Sequence, residues 1–114
     1  METSAVDSKK NRKQVERMTI ENAQINRYLN HMGVKHSNSG YRFLISAIKL
    51  KAEHGHKIGY VEIYNNIARE YGISSYNRVE RAIRYAIASF GATNKEFIAR
   101  AVDDIIYGYK SQSP

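Results

Sequence analysis

The chain has 114 residues, enough for one domain with a single modest core and too few for two. Lysine and arginine number 18 against 11 acidic residues, a net charge of +7 that favours a polyanionic partner such as nucleic acid. Cysteine is absent, which excludes disulfides and thiolate metal centres; no apolar run is long enough for a membrane span or a signal-peptide core, so the expected location is the cytoplasm.

Residues 1–18 are charged, poor in large apolar residues and without a period, and are expected to form a flexible basic arm that includes the stretch "SKKNRK" at 8–13. A helical domain is expected over 19–110 and a short tail over 111–114. Ile25, Tyr28, Leu29 and Met32 recur at i, i+3, i+4, i+7, which predicts an amphipathic helix from near Thr19 to Gly33. Tyr41, Leu44, Ile45 and Ile48 repeat that spacing in a second helix opened by Ser37 or Ser39. "HKIGY" at 56–60 is the one hint of extended chain. Val61, Tyr64, Ile67, Ala68 and Tyr71 mark a third helix, and Val79, Ala82, Ile83, Ala86 and Ile87 a fourth. Thr93-Asn-Lys-Glu96 has the spacing of a capping box and opens a fifth, whose inner face is Ile98, Ala101, Val102 and Ile105. Gly33, Gly55, Gly72, Gly91 and Gly108 stand where helices should end. The expected fold is all-α, a compact bundle of about five to six helices.

Between the third and fourth helices, Ala68 and Gly72 are four residues apart. A small residue admits a second helix closely and a glycine ends the first in a left-handed turn, which is the logic of a helix-turn-helix. The helix that follows, about 75–90, carries Arg78, Arg81, Arg84 and Tyr85 on the side away from its apolar set. Arg78, Arg81 and Tyr85 share one surface, with Arg84 to one side. Arginine can pair with guanine O6 and N7 together, and glutamate can accept from cytosine N4, so Glu80 suits the same face. The competing reading is an ordinary solvated face in which Glu80 pairs with Arg84 at i, i+4.

The chain resembles the C-terminal effector domain of the sporulation-initiating response regulator, the stage-zero transcription factor of spore-forming bacteria. "RVERAIR" (78–84) is the most specific element, and "MGV", "GYRFLISAI", "IAREYG" and "TNKEFIA" support it, over about Ile25 to Tyr107. In that family the helix bearing this motif enters the major groove, often as paired domains on tandem sites. The resemblance implies Arg78, Glu80 and Arg81 as base-reading residues, with Arg84 near the phosphates. Tyr76 and Tyr85, beside the arginines, are placed to touch phosphate or sugar, and Ser75 and Asn77 complete the expected backbone contacts.

Three departures accompany the resemblance. No phosphoacceptor receiver is present in this sequence, so the expected protein is a stand-alone regulator. A stretch of a couple of dozen residues that the family associates with contacting a polymerase sigma factor is missing between Phe90 and Thr93. "GISSYN" is one residue longer than the family turn, and Tyr85 stands for a histidine; both point to altered contacts.

Expected partners are double-stranded DNA, a second copy of the domain on tandem sites, and an RNA polymerase subunit or another regulator. No membrane partner, cofactor, metal or catalytic residue is expected. His31, His36, His54 and His56 sit at helix ends or in loops rather than as a convergent ligand set, and Asp103 and Asp104 diverge by about 100° on a helix and read as a solvated face. Tyr28, Tyr41, Tyr64 and Tyr71 fall on apolar stripes and read as core residues with a wet hydroxyl. No phosphate loop or nucleophile motif occurs, so an enzyme is not expected. The alternative function is a protein-interaction module that keeps the fold and binds a regulator or polymerase subunit; binding to structured RNA is a third reading.

Overall fold

The computed structural model describes residues 20–36 and 39–108, and the N-terminal arm and C-terminal tail lie outside them. Five α-helices occur among the described residues: α1 (Asn22–Met32), α2 (Ser39–His54), α3 (Tyr60–Tyr71), α4 (Tyr76–Ala86) and α5 (Asn94–Tyr107). Single 3₁₀ turns, Gly55–Lys57 and Ala88–Phe90, follow α2 and α4. The fold is all-α, and no strand occurs among the described residues.

All five glycines expected at helix ends have positive φ, between 58° and 89°. Thr93 caps α5 through both arms of its box: its hydroxyl accepts from the Glu96 N–H at 3.1 Å, and the Glu96 carboxylate accepts from the Thr93 N–H at 2.9 Å. Thr93→Ala is expected to lower stability by about 1 kcal/mol. For a domain of this size that is a fall of about 4–8 °C in the thermal midpoint, read by circular dichroism. An unchanged midpoint would show that the box adds nothing to the fold.

α2 is the central element and packs against every other helix. Its Leu44, Ala47 and Ile48 are fully buried, and against them lie Ile25 and Leu29 of α1, Ile63 and Ile67 of α3, Val79 and Ile83 of α4, and Ile98 and Ala101 of α5. Near its start, Gly40 faces α4 so closely that a Cβ there would stand 2.2 Å from the Ala82 carbonyl oxygen and 2.8 Å from the Ala86 Cβ. α4 is thus seated directly on the backbone of α2.

Several local expectations shift. α1 starts at Asn22, with the Gln24 side chain accepting from the Glu21 N–H at 2.8 Å; Thr19 and Ser37 lie outside the described residues. Ser39 is the first residue of α2. In "HKIGY", His56 and Lys57 belong to a 3₁₀ turn, Ile58 and Gly59 are extended, and Tyr60 opens α3; Ile58 is buried, and no strand occurs among the described residues. In α3 the buried stripe is Ile63, Tyr64, Ile67 and Ala68, and Val61, about 200° around the helix from Ile63, is 52% exposed. Tyr71, at the last turn of α3, is 38% exposed, and its ring meets Phe43 edge-on at 5.2 Å. Asp104 is not on a solvated face. It accepts the Tyr28 hydroxyl at 2.7 Å, tying α5 to α1, and lies 4.0 Å from the Arg100 guanidinium.

Tyr28, Tyr41 and Tyr64 are buried as their stripes require. Burial pushes the Tyr64 phenol above its ordinary value of 10.0, only partly offset by a hydrogen bond from Asn94. The folded state therefore holds its proton after the unfolded chain has released it. Stability from this group is complete below the unfolded value and is lost as pH rises through the raised folded one. Denaturant midpoints measured between about pH 8 and pH 11 should fall less steeply for Tyr64→Phe than for wild type. The slope should shrink rather than vanish, because Tyr41 and Tyr60 are raised by burial too. Parallel curves for the two proteins would refute the assignment.

A candidate nucleic-acid interface on α4

α3 ends at Gly72, whose φ of 67° no β-carbon-bearing residue adopts without strain, and the Ile73 N–H closes the turn on the Ala68 carbonyl at 2.8 Å. Ala68 is buried, as a close helix approach demands. Four residues, Gly72 to Ser75, then deliver α4. Ser75 caps it, with its hydroxyl accepting from the Asn77 N–H at 3.1 Å. That hydroxyl keeps its own proton for a further acceptor.

α4 separates its two faces completely. Val79, Ile83 and the following Ile87 are 0% exposed. Asn77, Arg78, Arg81, Arg84 and Tyr85 are exposed, Tyr85 at 75% and Tyr76 at 36%. Arg81 lies about 200° from both Val79 and Ile83, at the centre of the outer face. Among the described residues neither Arg78 nor Arg81 has an ion-pair partner. They border a shallow depression with Ser39, Phe43 and Ile73, where the start of α2 meets α4.

Arg84 and Glu80 are arranged differently. The Arg84 guanidinium donates to the Glu80 carboxylate at 2.8 Å, as an i, i+4 pair on the side of α4 that faces α5. The Glu80 side chain is only a third exposed, and its backbone carbonyl accepts from the Asn94 amide at 3.0 Å. Asn94, the first residue of α5, is buried, so the start of α5 is locked to the middle of α4.

Two further cations flank this side. The Lys51 and Lys95 ammonium groups lie 4.8 Å and 5.8 Å from the centroid of the Tyr60 ring, at the start of α3. Sequence reading missed Lys95, Ser39 and Asn94 as neighbours of the arginine helix. The Thr93 capping box was the available signal for Asn94, since it fixes where α5 begins, but nothing local says which helix that end abuts.

The expected site residues therefore fall into two sets. Arg78, Arg81, Tyr85 and Asn77 stand together on the open face, while Glu80 and Arg84 are joined at its edge with Tyr76 and Ser75 at the entry turn. The four histidines do not converge: His31 is in the last turn of α1, His54 and His56 are at the end of α2, and His36 stacks on Tyr41 at 4.2 Å. Among the described residues no group of three or more histidine or acidic side chains is arranged to hold a metal ion, and no helix is long and apolar enough to cross a membrane.

A family model described as "Sporulation initiation factor Spo0A C terminal" matches residues 25–107, from the first turn of α1 to the end of α5. No curated protein and no solved structure matches the chain.

Proposed function

The chain belongs to the Spo0A C-terminal family of DNA-binding effector domains, and from that premise we propose that it is a sequence-specific regulator of transcription that reads double-stranded DNA by inserting α4 into the major groove. The observation that carries the proposal is the exposure of Arg78 and Arg81, without ion-pair partners among the described residues, opposite a fully buried Val79–Ile83–Ile87 face. Side chains near the N-terminus of the second helix of a helix-turn-helix are those that reach base edges, and a planar guanidinium can grip guanine bidentately.

Arg78, Glu80 and Arg81 are the proposed base readers. Ser75, Tyr76, Asn77, Arg84 and Tyr85 are the proposed contacts to phosphate and sugar. The net charge of +7 adds a sequence-independent attraction to the duplex. Site occupancy alone can repress a promoter, so the proposed mode of action needs no receiver and no segment between Phe90 and Thr93.

Selection of bound duplexes from a random pool, followed by titration of the selected and a scrambled site across salt concentrations, tests this. The expected result is one preferred motif, bound more tightly than scrambled DNA at every salt, with affinity falling linearly in log salt. Repeated half-sites in the selected motif would identify binding by paired copies. Equal binding to both duplexes would defeat base reading, and capture of a polymerase subunit or regulator with no duplex binding would favour the interaction-module alternative.

A further inference from the structure

Given α4 as the reading helix, Glu80 is an unusual residue to lower into a groove walled by phosphates. A carboxylate there is repelled by the backbone, and its two oxygens offer about four acceptor sites with no preferred direction. The structure resolves both difficulties with one neighbour. Arg84 neutralises the charge and donates to Oε2 at 2.8 Å. One of the two acceptor sites on Oε2 is thereby filled, and Oε1 is the oxygen with both sites open to a base amino group, the interaction by which a carboxylate distinguishes cytosine.

The backbone at this point is also held. The Asn94 amide, itself buried, donates to the Glu80 carbonyl at 3.0 Å, which ties the backbone from which Glu80 projects to the start of α5. A third-exposed side chain on a clamped backbone, with one oxygen already bonded, has few remaining orientations.

We propose that Arg84 is a positioning residue for base recognition: it holds the Glu80 carboxylate in the orientation that reads one base pair, in place of, or in addition to, a phosphate contact of its own. The inference rests on the groove-reading role of α4. In water an exposed i, i+4 pair of this kind is weak. It strengthens when the groove excludes solvent and the local dielectric falls, which is when the orientation is needed.

The test is a double-mutant cycle scored on base preference. Wild type, Glu80→Gln, Arg84→Gln and the double variant of the full chain are titrated against four duplexes that differ only at the base pair whose preference Glu80→Gln alters. Arg84→Gln should reduce discrimination at that base pair about 3- to 10-fold, and should change it less than about twofold once Glu80 is already Gln. Both side chains are on the surface of α4, and thermal unfolding confirms that each variant is folded.

A plain phosphate contact gives another pattern. Arg84→Gln would then weaken all four duplexes by one common factor, equally in both Glu80 backgrounds, and would lower the salt slope by about 1; that result overturns the proposal. Arg81→Ala serves as the control for the underlying reading. If it leaves the preference of the selected site intact, or wild type shows no preference at all, α4 is not the reading helix and the positioning role falls with it.

Discussion

Gly40→Ala is expected to destabilise the domain by about 1–3 kcal/mol, although the same change in an ordinary helix interior stabilises by about 0.5–1 kcal/mol. Two opposed effects meet at this position, and distance decides between them. The added Cβ would lie 2.2 Å from the Ala82 carbonyl oxygen, 2.9 Å from its carbon and 2.8 Å from the Ala86 Cβ. Two of those three atoms are backbone, so no rotamer change relieves the contact and α4 must move as a body.

Ala86→Gly would remove one clash and leave the closest, so it should not rescue the variant. Because α4 carries Arg78 and Arg81, affinity for a selected duplex should also fall by more than the unfolded fraction accounts for. Urea denaturation gives the first quantity, and titration at a temperature where both proteins are folded gives the second. A midpoint equal to or above wild type would mean that α2 and α4 do not approach as closely as the glycine demands.

Arg81→Ala should leave the fold intact and cost about 1–3 kcal/mol on the selected duplex, a loss of about 5- to 150-fold. Arg81 is at the centre of the exposed face, outside the buried core. Its guanidinium has no ion-pair partner among the described residues to compensate for its removal or to compete with a base. Arg78→Ala should behave in the same direction at a neighbouring base pair.

The decisive feature is selectivity. On scrambled DNA the variant loses only one positive charge, so its preference for the selected site should shrink, whereas Lys13→Ala in the basic arm should weaken both duplexes alike. Equal losses on both duplexes for Arg81→Ala would reduce α4 to an electrostatic contact.

The contrast between Arg81 and Arg84 shows how far spacing can carry a reading of this helix. Both arginines look equivalent in "RVERAIR", and helical geometry puts them about 60° apart on the outer side. A recognition residue and a solvated ion pair were competing explanations for the whole face. The fold divides them: Arg81 is open, while Arg84 and Glu80 are paired at the edge that meets α5. The pairing itself was legible as an i, i+4 possibility, but the Asn94 clamp beneath it was not.

Tyr64 and Tyr71 make the same point for the core. Both lie on one apolar stripe of α3, seven residues apart. Tyr64 is buried and hydrogen-bonded by Asn94 at the start of α5, whereas Tyr71, next to Gly72 at the end of α3, stays 38% exposed with its ring edge-on to Phe43. Asp104 departs in the opposite direction, drawn out of solvent by the Tyr28 hydroxyl 76 residues away in the chain.

What sequence alone determined is local. The five left-handed glycines, the Thr93 box, the all-α class and the short turn before α4 follow from φ restrictions, backbone hydrogen-bond satisfaction and the 3.6-residue period, all of which act within a few residues. Only the tertiary structure decided which face of α3 is covered, that Gly40 is the seat of α4, and that Asn94 grips the Glu80 carbonyl. Those facts depend on pairs 14 to 46 residues apart, where close packing selects among faces that the hydrophobic period leaves equivalent.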